Sequence, residues 1–162
     1  MKSIKYASIV AAMVFAMSLM KVSAAPASGV CVNEVTAGGW VPDGGADEFA
    51  NFGLNARDFN GDLSGDLNFV DADEECHVVS TDIISYEGSG DCRTIRYDVT
   101  VNGVSGFTAT VEVCDNGESV NDPADTFSIA VYDSDGILVE TCSVSGDVVN
   151  GDVQVHVSGN CP

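Results

Sequence analysis

Beyond Ala37, apolar and polar residues alternate with a period of two over short runs, and each run ends in a cluster of Gly, Asn, Asp or Ser. That period puts one set of side chains on each face of a β-strand, while Gly and Asn allow tight turns. The pattern predicts strands at 49–57, 65–70, 77–86, 92–101, 106–114, 126–132, 136–144 and 152–157. No stretch carries the periodicity of an amphipathic helix. Eight short strands parted by turns at 87–91, 101–106 and 133–136 predict an all-β fold, an antiparallel β-sandwich or jelly-roll-like domain, over residues 38–162. A short segment, 25–37, precedes it.

Register is readable in one hairpin. Ile95, Tyr97, Val99 and Val101 form one apolar set, and Phe107, Ala109, Val111 and Val113 form the next. Both sets must face the core, so partners across the pair keep the same parity. A loop centred on Gly103 then pairs Val99 with Phe107, Tyr97 with Ala109 and Ile95 with Val111, and sets Cys92 opposite Cys114 on the outer face. Opposed Cβ atoms in an antiparallel pair lie about 4.5–5.5 Å apart, and the closer, non-hydrogen-bonded type of site admits a disulfide. The other cysteines are Cys31, Cys76, Cys142 and Cys161. Six cysteines without a C-x-x-C pair favour three disulfides over zinc or redox chemistry. Stapling of the two chain ends suggests Cys31 with Cys161, and elimination leaves Cys76 with Cys142.

The first 24 residues have the character of an export signal: two lysines, an apolar run from Ala7 to Met20, then small residues up to Ala24. Cleavage after Ala24 is expected, with the protein secreted to the extracellular space or cell surface and no membrane insertion. Over all 162 residues, 25 Asp and Glu stand against 6 Lys and Arg, a formal net charge of -19. Lys2, Lys5 and Lys21 all precede the cleavage point, so the exported chain keeps 3 Arg against the same 25 acids, a net -22. Such a surface repels phosphate, which excludes nucleic acid as a partner. It also suits a saline habitat or bridging by cations.

The densest group of oxygen ligands is the loop after Cys114, where Asp115, Asn116, Glu118, Asn121, Asp122 and Asp125 fall within eleven positions. Calcium takes six to eight oxygens, so this loop is the candidate Ca2+ site, with Asp115, Asn116, Glu118, Asp122 and Asp125 as ligands. The alternative is a polar loop whose Asp and Asn cap its own backbone. The run 58–66 lacks the glycine and the bidentate acid of a helix-flanked calcium loop, and reads as a hairpin turn. Four acids within Asp71 to Glu75 read as a solvated, self-repelling run. Catalysis finds little footing: only His77 and His156 are available as imidazoles, both beside valines, and no G-x-S-x-G elbow occurs.

The stretches 37–41, 50–57, 64–71, 115–118, 125–129 and 150–156, reading AGGWV, ANFGLNAR, SGDLNFVD, DNGE, DTFSI and NGDVQVH, occur in that order. Together they resemble the small secreted bacterial β domains called post-COAP domains. The resemblance spans about residues 38–157 and implies an all-β extracellular domain with no established catalytic activity.

The leading expectation is therefore a secreted, non-enzymatic structural or interaction module of the cell surface or extracellular matrix. Its partners would be itself, through exposed sheet edges, or other matrix components, with assembly promoted by calcium or high ionic strength. The second reading is a carbohydrate-binding β-sandwich that takes polysaccharide on exposed aromatics. Its candidates are Trp40, the single tryptophan, and Tyr86 at a strand tip. Beside Gly38 and Gly39, Trp40 also reads as a core plug.

Overall fold

The computed structural model describes residues 29–44, 48–117, 122–159 and 161. The expected segment 1–24 lies outside them, as do residues 25–28 of the expected segment 25–37. Among the described residues nine strands form: β1 Cys31–Pro42, β2 Phe49–Phe59, β3 Asp62–Asp71, β4 Cys76–Ser89, β5 Cys92–Val101, β6 Val104–Cys114, β7 Thr126–Tyr132, β8 Val144–Asp147 and β9 Val149–Gly159. All belong to one antiparallel sheet, in the order β8-β7-β6-β5-β4-β3-β2-β1-β9.

This corrects the sandwich or jelly-roll expectation. Strands β1 to β8 each pair with their sequence neighbours, so the chain is a meander without the long crossovers that separate two sheets. The sheet curls until its ends approach and nearly closes into a barrel. At the seam, β8 and β9 sit on opposite edges, yet only Val148 separates them in the chain. One bent segment thus crosses from edge to edge.

Two expected boundaries also move. The first strand begins at Cys31, within the segment 25–37, and buries Val35 completely. Its alternation is broken at Gly38–Gly39, where the pairing with β9 shifts register. The expected strand at 136–144 is mostly turn. Asp133 accepts from the backbone N–H groups of Asp135 and Ile137, both at 2.9 Å, and a short 3-10 turn over Glu140–Cys142 leads into β8.

Inward-facing residues fill the barrel. Phe52 stacks on Phe127 with ring centroids 3.8 Å apart, and Phe69, Leu67, Ile95 and Tyr97 pack around them with 2% exposure or less. Burying a Phe or Leu side chain contributes about 1.5–3 kcal/mol each, so this cluster supplies much of the driving force for closure.

The β5–β6 hairpin carries the expected register from Cys92–Cys114 to Val99–Phe107. Its turn is tighter than a loop centred on Gly103. Asn102 and Gly103, at φ 51° and 78°, make a two-residue turn between Val101 and Val104. Gly106, at φ 101°, is the extra residue of a bulge that restores the parity beyond it. Disulfides join Cys31 to Cys161, Cys76 to Cys142 and Cys92 to Cys114, the three pairs reasoned from the sequence. No helix among the described residues is long and apolar enough to cross a membrane. Three disulfides fit an oxidising, extracellular environment.

Candidate functional site: an outer-face trough and a sealed corner

The acidic loop after Cys114 does a structural task. Its described parts, 115–117 and 122–125, lie against the edge of β9 that has no neighbouring strand. Asp125 accepts from Val153 N at 2.7 Å and from Asn116 N at 2.8 Å, while Asp115 accepts from Val155 N at 3.1 Å. The Asp125 carbonyl accepts from Val148 N at 2.8 Å. Carboxylates here replace the carbonyls that a tenth strand would offer. Asn116 ties the loop together by donating to the Ala124 carbonyl at 2.7 Å. Asp122 lies exposed beside Gly117. Glu118 and Asn121 lie outside the described residues. Among the described residues, no group of three or more His, Cys, Asp and Glu converges in a metal-holding arrangement.

Tyr86 is half-buried and directed inward. Its hydroxyl donates to Asn33 Oδ1 at 3.1 Å and accepts from Arg93 Nε at 3.1 Å. Arg93 is 2% exposed, an inward residue of β5 that closes one barrel end. It donates to Asn33 Oδ1 at 2.8 Å and to the carbonyls of Gly90 and Cys92 at 2.8 and 2.6 Å. Burial raises the Tyr86 hydroxyl pKa, and the nearby Arg93 cation only partly opposes this. With its hydroxyl engaged, Tyr86 is a poor stacking platform.

The expected solvated run also differs in part. Asp71 is 3% exposed and turns inward, where Oδ1 accepts from the N–H groups of Asp73 and Glu74, both at 3.1 Å. It caps the β3–β4 turn. The Asp43 carboxyl shares a hydrogen bond with it, and this contact, with burial and the charges of Asp71, Glu74 and Glu48, lifts Asp43 to about 6.

Trp40 is no core plug. It stands on the outer face of β1, 45% exposed, with its ring 6.0 Å from that of Phe49. Two positions along the same face lies Gly38, paired directly with Gly53 on β2, which in turn pairs with Asn68 on β3. The two glycines leave a bare patch of backbone across two adjacent strands. A trough of about 640 Å³ opens there, bordered by Asn55, Asp66, Asn68 and His77. A second hollow of about 370 Å³ continues over Gly38 to Asp152 and Gln154 on β9, sharing Ala37 and Leu54 with the first. At its far end β3 and β4 separate: their pairing stops at Asn68–Val79, and Leu67 N donates instead to Ser80 Oγ at 2.8 Å.

The polar rim is ordered by its own contacts. His77 Nε2 lies 2.9 Å from Asn68 Oδ1, and Gln154 Nε2 donates to Asp152 at 2.8 Å. His156, the other imidazole, is exposed on β9 across from Glu34. Of the residues singled out along the sequence, His77 lines the trough, and Trp40 stands beside it, two positions from Gly38 on the same face of β1. Its remaining residues were invisible along the chain because the glycines and amides come from four different strands, β1, β2, β3 and β9. No family model, curated protein or solved structure matches the chain.

Proposed function

We propose that the protein is a non-enzymatic, secreted interaction module that works through the outer face of β1 to β4 and not through its strand edges. The observation that carries this reading is the sealed corner. Self-association by edge pairing needs free backbone N–H and C=O groups in a row. Here the β9 edge is held by Asp115 and Asp125, β8 is four residues long, and the β8–β9 bend bridges the seam. The outer face, in contrast, presents an exposed tryptophan and a rigid polar trough on a scaffold locked by three disulfides. Preorganisation of that kind favours recognition, because little conformational freedom is lost on binding.

Mutual repulsion of the acidic surface acts in the same direction and keeps copies apart. In this reading calcium is not needed for the fold, since the loop carboxylates already hold backbone donors. Light scattering on the purified protein tests it. A single-chain mass is expected in calcium, in EDTA and in high sodium chloride. A mass increase with calcium or salt would restore the edge-pairing, matrix-assembly reading.

A further inference from the structure

Resting on the reading of the outer face as the working surface, we propose that the trough over Gly38 and Gly53 is a binding site for a neutral carbohydrate chain.

The first argument concerns why glycine stands at these positions. At Gly39, Gly65 and Gly151 an added Cβ would collide with neighbouring backbone, so the fold itself demands glycine. At Gly53 a Cβ would meet nothing within 4 Å, and at Gly38 it would meet only Phe52 O at 3.5 Å and Gly53 Cα at 3.9 Å. Neither residue has the left-handed backbone that excludes side chains. Glycine inside a strand costs about 0.5–1 kcal/mol relative to alanine. Two such residues paired face to face weaken the sheet and leave only empty space on its outer side. Space for an occupant accounts for them.

The second argument is the chemistry of the rim. Asn55, Asn68, Gln154 and His77 offer donors and acceptors, and Asp66 and Asp152 offer acceptors only. Hydroxyl groups both donate and accept, so a polyol can satisfy this mixture. Among the described residues no Lys or Arg lines the trough. The nearest on β2, Arg57, is engaged by Glu34 at 4.0 Å and lies over the Phe59 ring at 4.8 Å. Two carboxylates without a counter-cation repel an anionic polymer, which leaves a neutral chain as the favoured occupant.

The third argument is shape. The trough runs across β9, β1, β2, β3 and β4, four strand spacings or about 19 Å, enough for several sugar units in a row. Trp40 stands at its flank with an exposed ring, an apolar surface against which the C–H face of a sugar can rest.

The chain has a single tryptophan, so intrinsic fluorescence reports on this flank alone. The purified protein would be titrated with neutral soluble polysaccharides (a β-glucan, a xylan and a mannan), with alginate as the anionic arm and oligolysine as the cationic one. Affinity gels containing each polymer provide a second readout. A saturable fluorescence change and gel retardation are expected with at least one neutral polymer and not with alginate. Gly53→Val, which fills the trough from a position with free space, should weaken that binding at least tenfold without lowering the thermal midpoint. Trp40→Ala should reduce retardation in the gel.

No response to any neutral polymer, or a response unchanged in Gly53→Val, would overturn the assignment. A response to oligolysine alone, lost in Gly53→Val, would overturn the carbohydrate and keep the working face. Assembly in the light-scattering experiment would overturn the face reading itself.

Discussion

The corner where the 115–125 loop meets β9 and the trough on the outer face are both rich in carboxylates and amides, yet their side chains have opposite situations. At the corner, Asp115 and Asp125 are half-buried and spend their oxygens on backbone N–H groups of β9. In the trough, Asp66 and Asp152 stand exposed over bare backbone, and their oxygens face solvent or a neighbouring amide. The same residue types thus serve closure in one place and remain available to a ligand in the other. Acidity alone distinguishes neither; the partner of each carboxylate does.

The largest expected difference between the two regions is energetic. Asp125→Ala removes two charge-assisted hydrogen bonds, at 2.7 and 2.8 Å, and frees the edge of β9. Hydrogen bonds to charged groups contribute about 1.5–3 kcal/mol each, and the freed N–H groups recover part of this from water, so a loss of about 3 kcal/mol is expected in urea unfolding. Asp152→Ala, on the trough, should stay within about 0.5 kcal/mol of the parent. Equal losses at both sites would break the comparison. An uncapped edge should also make the Asp125→Ala protein the one variant that gains mass in light scattering.

Glycines sharpen the same contrast at a smaller scale. Gly151 packs so closely on Gly38 and Gly39 that a methyl group must push β9 away from β1. Overpacking of this kind costs about 1–3 kcal/mol, and Gly151→Ala should lower the thermal midpoint accordingly. Gly53→Ala has open space and an ordinary strand backbone, so it should be neutral or raise stability by about 0.5–1 kcal/mol. Destabilisation by Gly53→Ala would show that the fold needs that glycine, and would remove the strongest argument for an occupant.

Much of the architecture was legible because it is local. Alternation located β2 to β7 and β9, and parity fixed the pairing of Ile95 with Val111 and of Cys92 with Cys114. What escaped depends on partners distant in sequence. The first strand hides because Gly38 and Gly39 interrupt its alternation, and its inward Val35 and Val41 reveal themselves only against β2 and β9. A meander and a sandwich share one strand pattern, so only pairing across Val148 distinguishes them. Asp115 and Asp125 carry the residue types of calcium ligands, and nothing along the chain tells that Val153 and Val155 will take their oxygens. The trough joins Gly38, Gly53, Asn68 and Asp152 from four strands, a neighbourhood without any signature in one dimension. Trp40 was visible as the single tryptophan and His77 as one of two imidazoles, but nothing in the sequence placed them together.

The smallest expected effect belongs to a third carboxylate setting, where Asp43 meets Asp71. The shared hydrogen bond, then burial, then the negative charges of Asp71, Glu74 and Glu48 raise the Asp43 carboxyl from 3.8 to about 6. The folded chain therefore holds a proton there that the unfolded chain releases. Between about pH 3.8 and 6 the native state binds more protons, so stability rises as pH falls through 6 and gains nothing further from this group below its unfolded value. General relief of the acidic surface has the same sign, so the slope of the parent alone does not isolate the pair. Asp43→Asn does isolate it: the amide keeps the shape, donates to Asp71 at every pH, and removes one titrating group. Thermal midpoints at pH 7.5, 6 and 5 should climb for the parent and climb less steeply for Asp43→Asn, which should already be the more stable of the two at pH 7.5. Parallel slopes would mean that the pair shares no proton. The contrast would then narrow to two kinds of carboxylate, those that hold backbone and those that face water.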